Sequence, residues 1–402
     1  MFQPAFAFVG LRYARTTKRN HFISFINLFS VVGIALGLVA LITMSSVMNG
    51  FQTQLKNRVL GITPHIVVNA PVDGELTKVL QQSASVIASS PFSESEGVLQ
   101  SAKDLQGVMI HGVIPDDMLL HSAAAQAMLA GEFTQLKAGE FGLIIGRALA
   151  IRLNISLGER VRVISASTAV FSPFGQMYSQ RVFRVVGMFD IGSELDDKVV
   201  YTHLHDAAKL QRVKPEAMAS TRLFLDDAFN YLQVIDLLDG AELSYDTWRA
   251  RQGPLFDAVK MEKNMMVLML VLIIAVAAFN IVSALVMLVK EKQGDIAILR
   301  TQGMEDKGVF LVFILSGLYN GVKGTIVGLL GGLLVVFSLN PLLSLLNVPI
   351  MLGEHGQHLP VDLRLSQVVV LVGLSLLLSF LATLYPAYRA LKSEPANALQ
   401  YE

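Results

Sequence analysis

Four stretches of the chain carry no charge over the length a helix needs to cross a bilayer: residues 22–55, 264–289, 308–353 if Lys323 is tolerated, and 365–388. A span requires about 20 predominantly apolar residues. The pattern predicts transmembrane helices at 22–49, 264–289, 308–338 and 365–388, and four spans put both termini on one side. The first, "FINLFSVVGIALGLVALITMSSVMNGF", is far longer than a signal-peptide core and has no obvious cleavage site, so it reads as an uncleaved anchor.

Between the first two spans the period changes. Residues 50–263 are long enough for a core of their own. They open with "HIVVNA", "ELTKVLQQSASVIAS" and "GVMIHGVI" and close with "STRLFL" and "NYLQVIDLLD", strand and helix at both ends. "FGLIIGRALAIRLNISLGERVRVIS" and "KVVYTHLHDAAKL" supply more of each in between, which predicts a mixed α/β lobe with an inserted second lobe. Two alternating runs, "GERVRVIS" and "RVFRVVGMF", flank a turn of Ser172, Pro173 and Gly175, predicting a hairpin at 166–181. Its tip, "FSPFGQMYSQR", carries Phe171, Phe174, Met177 and Tyr178, whereas a tip that meets water is ordinarily polar. Either the aromatics fold back on their own domain or another molecule covers them. Helical composition also runs on past the first span in "SSVMNGFQTQLKNRVLG" and up to the second in "YDTWRARQGPLFDAVKMEKN". The pair reads as a stalk, or as helices that overshoot the bilayer by a turn or two.

Charge orients the spans. Arg12, Arg15, Lys18 and Arg19 precede the first with no acidic residue among them, whereas the segment 339–364 between spans three and four has one basic residue, Arg364. The positive-inside rule then makes 1–21, the loop 290–307 and the tail 389–402 cytoplasmic, with 50–263 and 339–364 outside the inner membrane. A composition 53% hydrophobic and 16% charged fits a membrane protein with a sizeable aqueous part, and a net charge of zero without basic runs argues against nucleic acid. With no cysteine there is no disulfide or thiol chemistry.

Enzymatic signatures are missing. No Gly-Lys pair occurs, so no P-loop can hold ATP phosphates, and "GLIIGRALA" lacks the serine of a hydrolase elbow. His203 and His205 beside Asp206, and His355 and His358 after Glu354, have metal-ligand chemistry but no supporting second cluster, so solvated histidines are the better reading. The loop 290–307 is more specific. In "EKQGDIAILRTQGM", Asp295 is placed to cap a short helix whose Ile296 and Leu299 share a face, and Gly303 can close it. That helix either lies on lipid headgroups or docks on a cytoplasmic partner, and Glu291 with Asp295 disfavours an anionic surface. In span three Gly317, Gly321, Gly324, Gly328, Gly331 and Gly332 recur every three to four residues, a pattern for close helix packing, with Lys323 in their midst.

"GLRYAR", the "SVMNGF" junction, "VKMEKNMM", "AAFNIVSALVMLVKEKQGDIAILRTQG" and the close "LATLYPAYRALKSEPANALQYE" resemble, end to end, the LolC/LolE family of permeases of the lipoprotein-releasing ABC transporter, kin to the MacB and FtsX types. The resemblance implies an α-helical membrane protein of four spans with a periplasmic α/β domain, the MacB-like (type VII ABC) architecture. It implies a non-catalytic subunit with no cofactor of its own, ATP and Mg2+ residing in two copies of the ATPase LolD. The other partners are a LolE-like permease or a second copy of the chain, lipoprotein substrates, membrane lipid and the periplasmic carrier LolA. In LolC-type members the hairpin is a hook that captures LolA, carried over here to Phe171, Ser172, Pro173, Phe174, Gly175, Gln176 and Met177, with Arg162, Gln180 and Arg181 at its base. LolE-type members lack this pattern. Asp295, Ile296, Leu299 and Arg300 are the expected ATPase contacts, and Met48, Met265 and Met266 candidates for acyl contact or for ordinary packing. Two rivals are an efflux or secretion permease of the MacB type, whose ATPase is fused ahead of the first span where only 21 residues stand here, and an FtsX-type signal relay.

Overall fold

The charge-free windows become helices. The structure, a computed structural model, describes residues 5–15, 21–172, 175–214, 220–345 and 359–391. Among these, four helices are long and apolar enough to cross a membrane. The chain divides into two compact units, one of residues 1–52 with 259–402 and one of residues 53–258.

The membrane unit begins with α1 (Ala5–Arg15), a short helix ahead of the first span, followed by α2 (His21–Leu60). The inter-span unit then runs through β1 (Ile66–Val68), α3 (Gly74–Leu80), β2 (Val86–Gln100), β3 (Leu105–Val113), α4 (Pro115–His121), α5 (Ala123–Gln126) and β4 (Met128–Ala130). It continues with β5 (Gly142–Gly146), α6 (Arg147–Leu153), β6 (Arg160–Ser172), β7 (Gly175–Phe189), β8 (Val199–His203), α7 (Leu204–Gln211), β9 (Ser220–Leu225), α8 (Tyr231–Gly240) and β10 (Tyr245–Thr247). The membrane unit resumes along α9 (Trp248–Glu291), then α10 (Gln293–Thr301), α11 (Asp306–Leu345) and α12 (Leu365–Leu391).

In the inter-span unit β2 serves two sheets. Its first half, Val86 to Phe92, pairs with β9, beside which lie β1 and β10; its second half, Ser93 to Gln100, pairs with β3 and, from Gly97, with β6. The first sheet packs Ile66, Val68, Leu223 and Leu225 against Leu76, Leu80, Val234 and Leu238 of α3 and α8. The second buries Leu99, Ile110, Leu143, Val163, Phe183 and Val200 under Leu149 and Leu153 of α6.

His65 ties the entry of β1 to its surroundings: its carbonyl accepts from the Trp248 N–H at 3.1 Å, and its Nδ1 accepts from the Leu225 N–H at 3.1 Å. Burial pushes this imidazole down to about 4, with the Arg222 charge as the next cause. The unfolded chain takes up a proton near pH 6.5 that the folded unit resists. The stability this represents is therefore present above about pH 6.5 and lost as pH falls towards 4, about 2 kcal/mol at pH 5. Asp196, pushed up to about 6 by burial, acts with the opposite sign over the same window. His65→Gln should consequently flatten the loss of thermal stability between pH 7 and pH 5, and a slope identical to the parent's would show that His65 does not set it.

In the membrane unit the glycines of α11 are contact points on two sides. A Cβ at Gly324 would stand 2.9 Å from the Ile34 side chain and one at Gly328 2.9 Å from the Ala35 carbonyl, both on α2. At Gly317 and Gly321 it would meet Thr383 and Ser379 of α12. Close approach of backbones is what such spacing permits. Lys323 leaves by another side of α11, exposed, with its Nζ 4.4 Å from the Tyr319 ring centroid. Leucine there removes a charge that insertion scales put at about 3 kcal/mol in mid-membrane. Lys323→Leu should leave yield and melting temperature in detergent unchanged or improved, and a fall of several degrees would reveal a contact the ammonium supplies.

Candidate functional site

The hairpin predicted at 166–181 is the outer part of the β6–β7 pair. Near its base the register is regular, from Arg160↔Arg184 to Ile164↔Gln180, and the ribbon is held in the sheet by β2 and β5. After Ile164 the register shifts, and pairing resumes at Ala169↔Tyr178. The residues between leave the β7 ladder, though Ser165 still pairs with Gly97 of β2; the Ser165 and Ser167 hydroxyls stand 3.3 Å apart and Thr168 Oγ1 donates to the Gln211 carbonyl at 3.4 Å. On the facing strand Arg212 Nε donates to Ser179 Oγ at 3.4 Å. Such a bulge bends a ribbon and ends its membership of the sheet. From Ala169 to Tyr178 the two strands pair only with one another, down to Ser172↔Gly175. The product is a free-standing arm.

Met177 and Tyr178, on that arm, are each 53% exposed. Pro173 and Phe174 lie outside the described residues, as do the side chains of Phe171, Ser172 and Gln176; the backbone of Phe171, Ser172, Gly175 and Gln176 closes the ladder. At the base, Arg162 pairs with Val182, and Gln180 with Ile164, so alternation brings Arg162 and Gln180 to one face. Arg181 pairs with the buried Val163 and leaves by the opposite face, though it too is exposed. The structure thus does not assemble the three as one patch. It adds Arg160 and Arg184, directly opposed on the Arg162 face. Their signal lay in the alternation of "RVRV" and in the second arginine of "QRVFRV".

The helix predicted in 290–307 is α10, and three expectations for it need correction. Asp295 does not cap it: the N-cap is Lys292, and Asp295 stands in the first turn, 2.9 Å from Lys292 Nζ. Ile296 is 1% exposed, packed with Ile281, Leu285, Leu288 and Phe313 of the chain's own helices, so it cannot dock on a partner, and Leu299 is half-buried. The outward apolar residue is Ile298, 47% exposed. Arg300 is occupied within the chain, its Nη2 donating to Asp306 Oδ1 at 2.7 Å and to the Leu391 carbonyl at 2.9 Å. Gly303 does close the helix, at φ +93°, with Met304 N–H reaching the Leu299 carbonyl and Gly303 N–H the Arg300 carbonyl.

Of the two alternatives for Met48, acyl contact and packing, the structure favours packing. This side chain is 7% exposed, turned into the membrane unit, so it offers no surface to an acyl chain in this conformation. Met265 is exposed and Met266 half-buried. Met261, Met265 and Met269 recur every four residues and are all exposed, a stripe of adaptable side chains along one face of α9 of which the expected candidates include only Met265. Beside Met48, Asn49 is fully buried; its amide donates to Gln367 and to the Asp362 carbonyl, and its Oδ1 accepts from Lys263 Nζ at 3.3 Å. Gly50 lies so close to Pro360 that a Cβ would overlap that carbonyl. This explains the "SVMNGF" junction as a joint between α2, α9 and the entry to α12. Among the described residues no group of three His, Cys, Asp or Glu side chains could hold a metal ion.

Residues 28–236 match the MacB-like periplasmic core domain, and residues 267–395 the FtsX-like permease C-terminal family. The lipoprotein-releasing system transmembrane protein LolC of Xylella fastidiosa is 37% identical over 100% of both chains, and that of Neisseria meningitidis 38% identical over 98% of this chain and 99% of its own. The LolE protein of Haemophilus influenzae is 30% identical over 98% of each. The chain belongs to the LolC/LolE family. It is therefore a multi-pass ABC permease component with a periplasmic-type domain between its first two spans. Within this LolC-like chain, the long arm, the α10 loop and the α9 methionine stripe are among the features that the packing of either unit leaves exposed.

Proposed function

We propose that this chain is a subunit of a transporter that extracts lipoproteins from the inner membrane and passes them to the carrier LolA, working with two LolD-type ATPases and a LolE-like permease or a second copy of itself. The supporting observation is the free-standing apolar arm in a chain related to LolC over its full length. The termini and α10 face the cytoplasm in this reading, as the arginines ahead of the first span favour. The ATPase docks on α10 around Ile298. The arm enters LolA, whose apolar acyl-binding cavity suits an apolar tip, and the exposed arginines on both faces of its base suit contact with the rim of such a partner.

The acyl chains of a lipoprotein lie in the bilayer while its protein part is outside, so the machine must lift lipid rather than open a pore. Membrane helices without an aqueous lining suit that task, and the Met261, Met265 and Met269 stripe offers adaptable contact to varied chains. The chain has no phosphate-binding loop, so ATP and Mg2+ belong to the ATPase. The deciding experiment is ATP-dependent transfer of a lipoprotein from proteoliposomes containing the complex to soluble LolA. Transfer supports the reading, and ATP hydrolysis without transfer, in the presence of LolA, would replace it with a signal relay.

A further inference from the structure

α1 lies ahead of the first span and packs on the start of α11. At Gly10 the two helices touch so closely that a Cβ would stand 2.9 Å from the Val312 carbonyl. One turn later Tyr13 leans on Phe313, with ring centroids 6.4 Å apart, and its hydroxyl donates to Asp295 Oδ2 at 3.2 Å. Lys292 completes the group, its Nζ 2.9 Å from the same carboxylate oxygen and 5.4 Å from the centre of the Tyr13 ring. Burial pushes the Tyr13 phenol above its ordinary range, and the Asp295 charge adds to the effect, so the hydroxyl stays protonated and stays a donor.

These contacts bear on how α10 is held. Its far end is fixed by Arg300 to Asp306 and to the last carbonyl of α12, and its middle by the burial of Ile296 and Ala297. At its near end, the Lys292–Asp295 pair lies within the segment itself and moves with it. The Tyr13 hydroxyl reaches that end from an element 282 residues away in sequence. A hydrogen bond to a charged acceptor is stronger than one between neutral groups, and here it restrains a rotation rather than filling a core.

We propose that Tyr13 is a positioning residue, which through Asp295 sets the orientation of α10 and so couples ATP hydrolysis to lipoprotein release. The coupling half rests on the reading that α10 carries the ATPase contact, and the test separates the two. The chain has no cysteine, so Ile298→Cys gives a single site for a spin label on α10 in the detergent-purified chain without any ATPase. Tyr13→Phe, which keeps the ring, should raise the mobility of that label. In the assembled complex Tyr13→Phe should leave ATPase recovery and ATP turnover near the parent's while lipoprotein released per ATP falls at least threefold. Asp295→Asn should likewise lower lipoprotein released per ATP, and the double variant should be no worse on that ratio than either single one, because both remove one link. Loss of release that merely followed loss of folded chain would move yield, which this ratio is blind to. An unchanged label spectrum, an unchanged release per ATP, additive losses, or failure of Tyr13→Phe to retain the ATPase would each overturn the proposal. A mobilised label with a parent complex that transfers no lipoprotein would support the positioning contact and reject the transport reading instead.

Discussion

Ile298→Glu should strip the ATPase from the purified complex while the membrane helices remain packed, whereas Ile296→Glu should destroy the packing itself. The two positions are two residues apart on α10 and differ in what surrounds them. Ile296 lies among Ile281, Leu285, Leu288, Val309 and Phe313, where an unpaired carboxylate has no hydrogen-bond partner and costs several kcal/mol. That loss is comparable to the whole stability of many domains. Ile298 faces outward at 47% exposure, so glutamate there is solvated in the free chain and becomes costly only when a partner covers it. An apolar anchor in a dry interface commonly supplies 2 kcal/mol or more, so recovery of the ATPase with Ile298→Glu should fall at least tenfold at equal permease yield. Full ATPase recovery with Ile298→Glu would sink the assignment of this face. An Ile296→Glu chain as stable as the parent would show that α10 is not packed as described.

The same pair shows which parts of the molecule could be read from residues alone. The four spans were legible because a bilayer imposes one rule, length without charge, that sequence satisfies or fails locally. Strands β1, β3, β5, β6, β7, β8 and β9 were legible because each keeps one partner face and alternates or runs apolar accordingly. β2 is not, because the pattern of its N-terminal part continues that of the preceding helix. A strand that leaves one sheet for another has no constant inward side, and "VIASSPFSESEGVLQ" shows serines, glutamates and a proline where alternation is expected. Pro91 stands two residues before the change of partner, the position where a missing N–H disturbs the ladder least. On α10 the sequence shows the apolar face but not what covers it. A helical stripe shows that something covers it, and only the arrangement of α9, α11 and α12 shows that the cover is the chain itself. The local pattern offers Asp295 as a cap, which it does not form; its partner Tyr13 is too distant in sequence for any pattern to suggest.

Phe174→Asp should lower the affinity of the detergent-purified chain for LolA by roughly thirtyfold or more, with ATP turnover of the complex unchanged. The expectation rests on the arm below that residue. Beyond the bulge at Ser165 to Thr168, β6 and β7 pair only with each other, and an isolated two-stranded ribbon is marginal unless its base is fixed. Here Thr168 and Ser179 fix it, through Gln211 and Arg212 at the end of α7. A pre-ordered arm loses little entropy on binding, so an apolar tip can contribute most of its transfer energy to the complex. Tyr178→Asp tests the same surface at a position whose exposure is known, and it should weaken binding in the same direction. Arg162→Glu and Arg181→Glu leave opposite faces, and a carrier that surrounds the arm should sense both, more strongly at low salt if its rim is acidic. Calorimetry with LolA at two ionic strengths is the measurement. If Phe174→Asp and Tyr178→Asp both bind as tightly as the parent while remaining folded by circular dichroism, the arm has another purpose and its apolar residues are covered by something other than LolA.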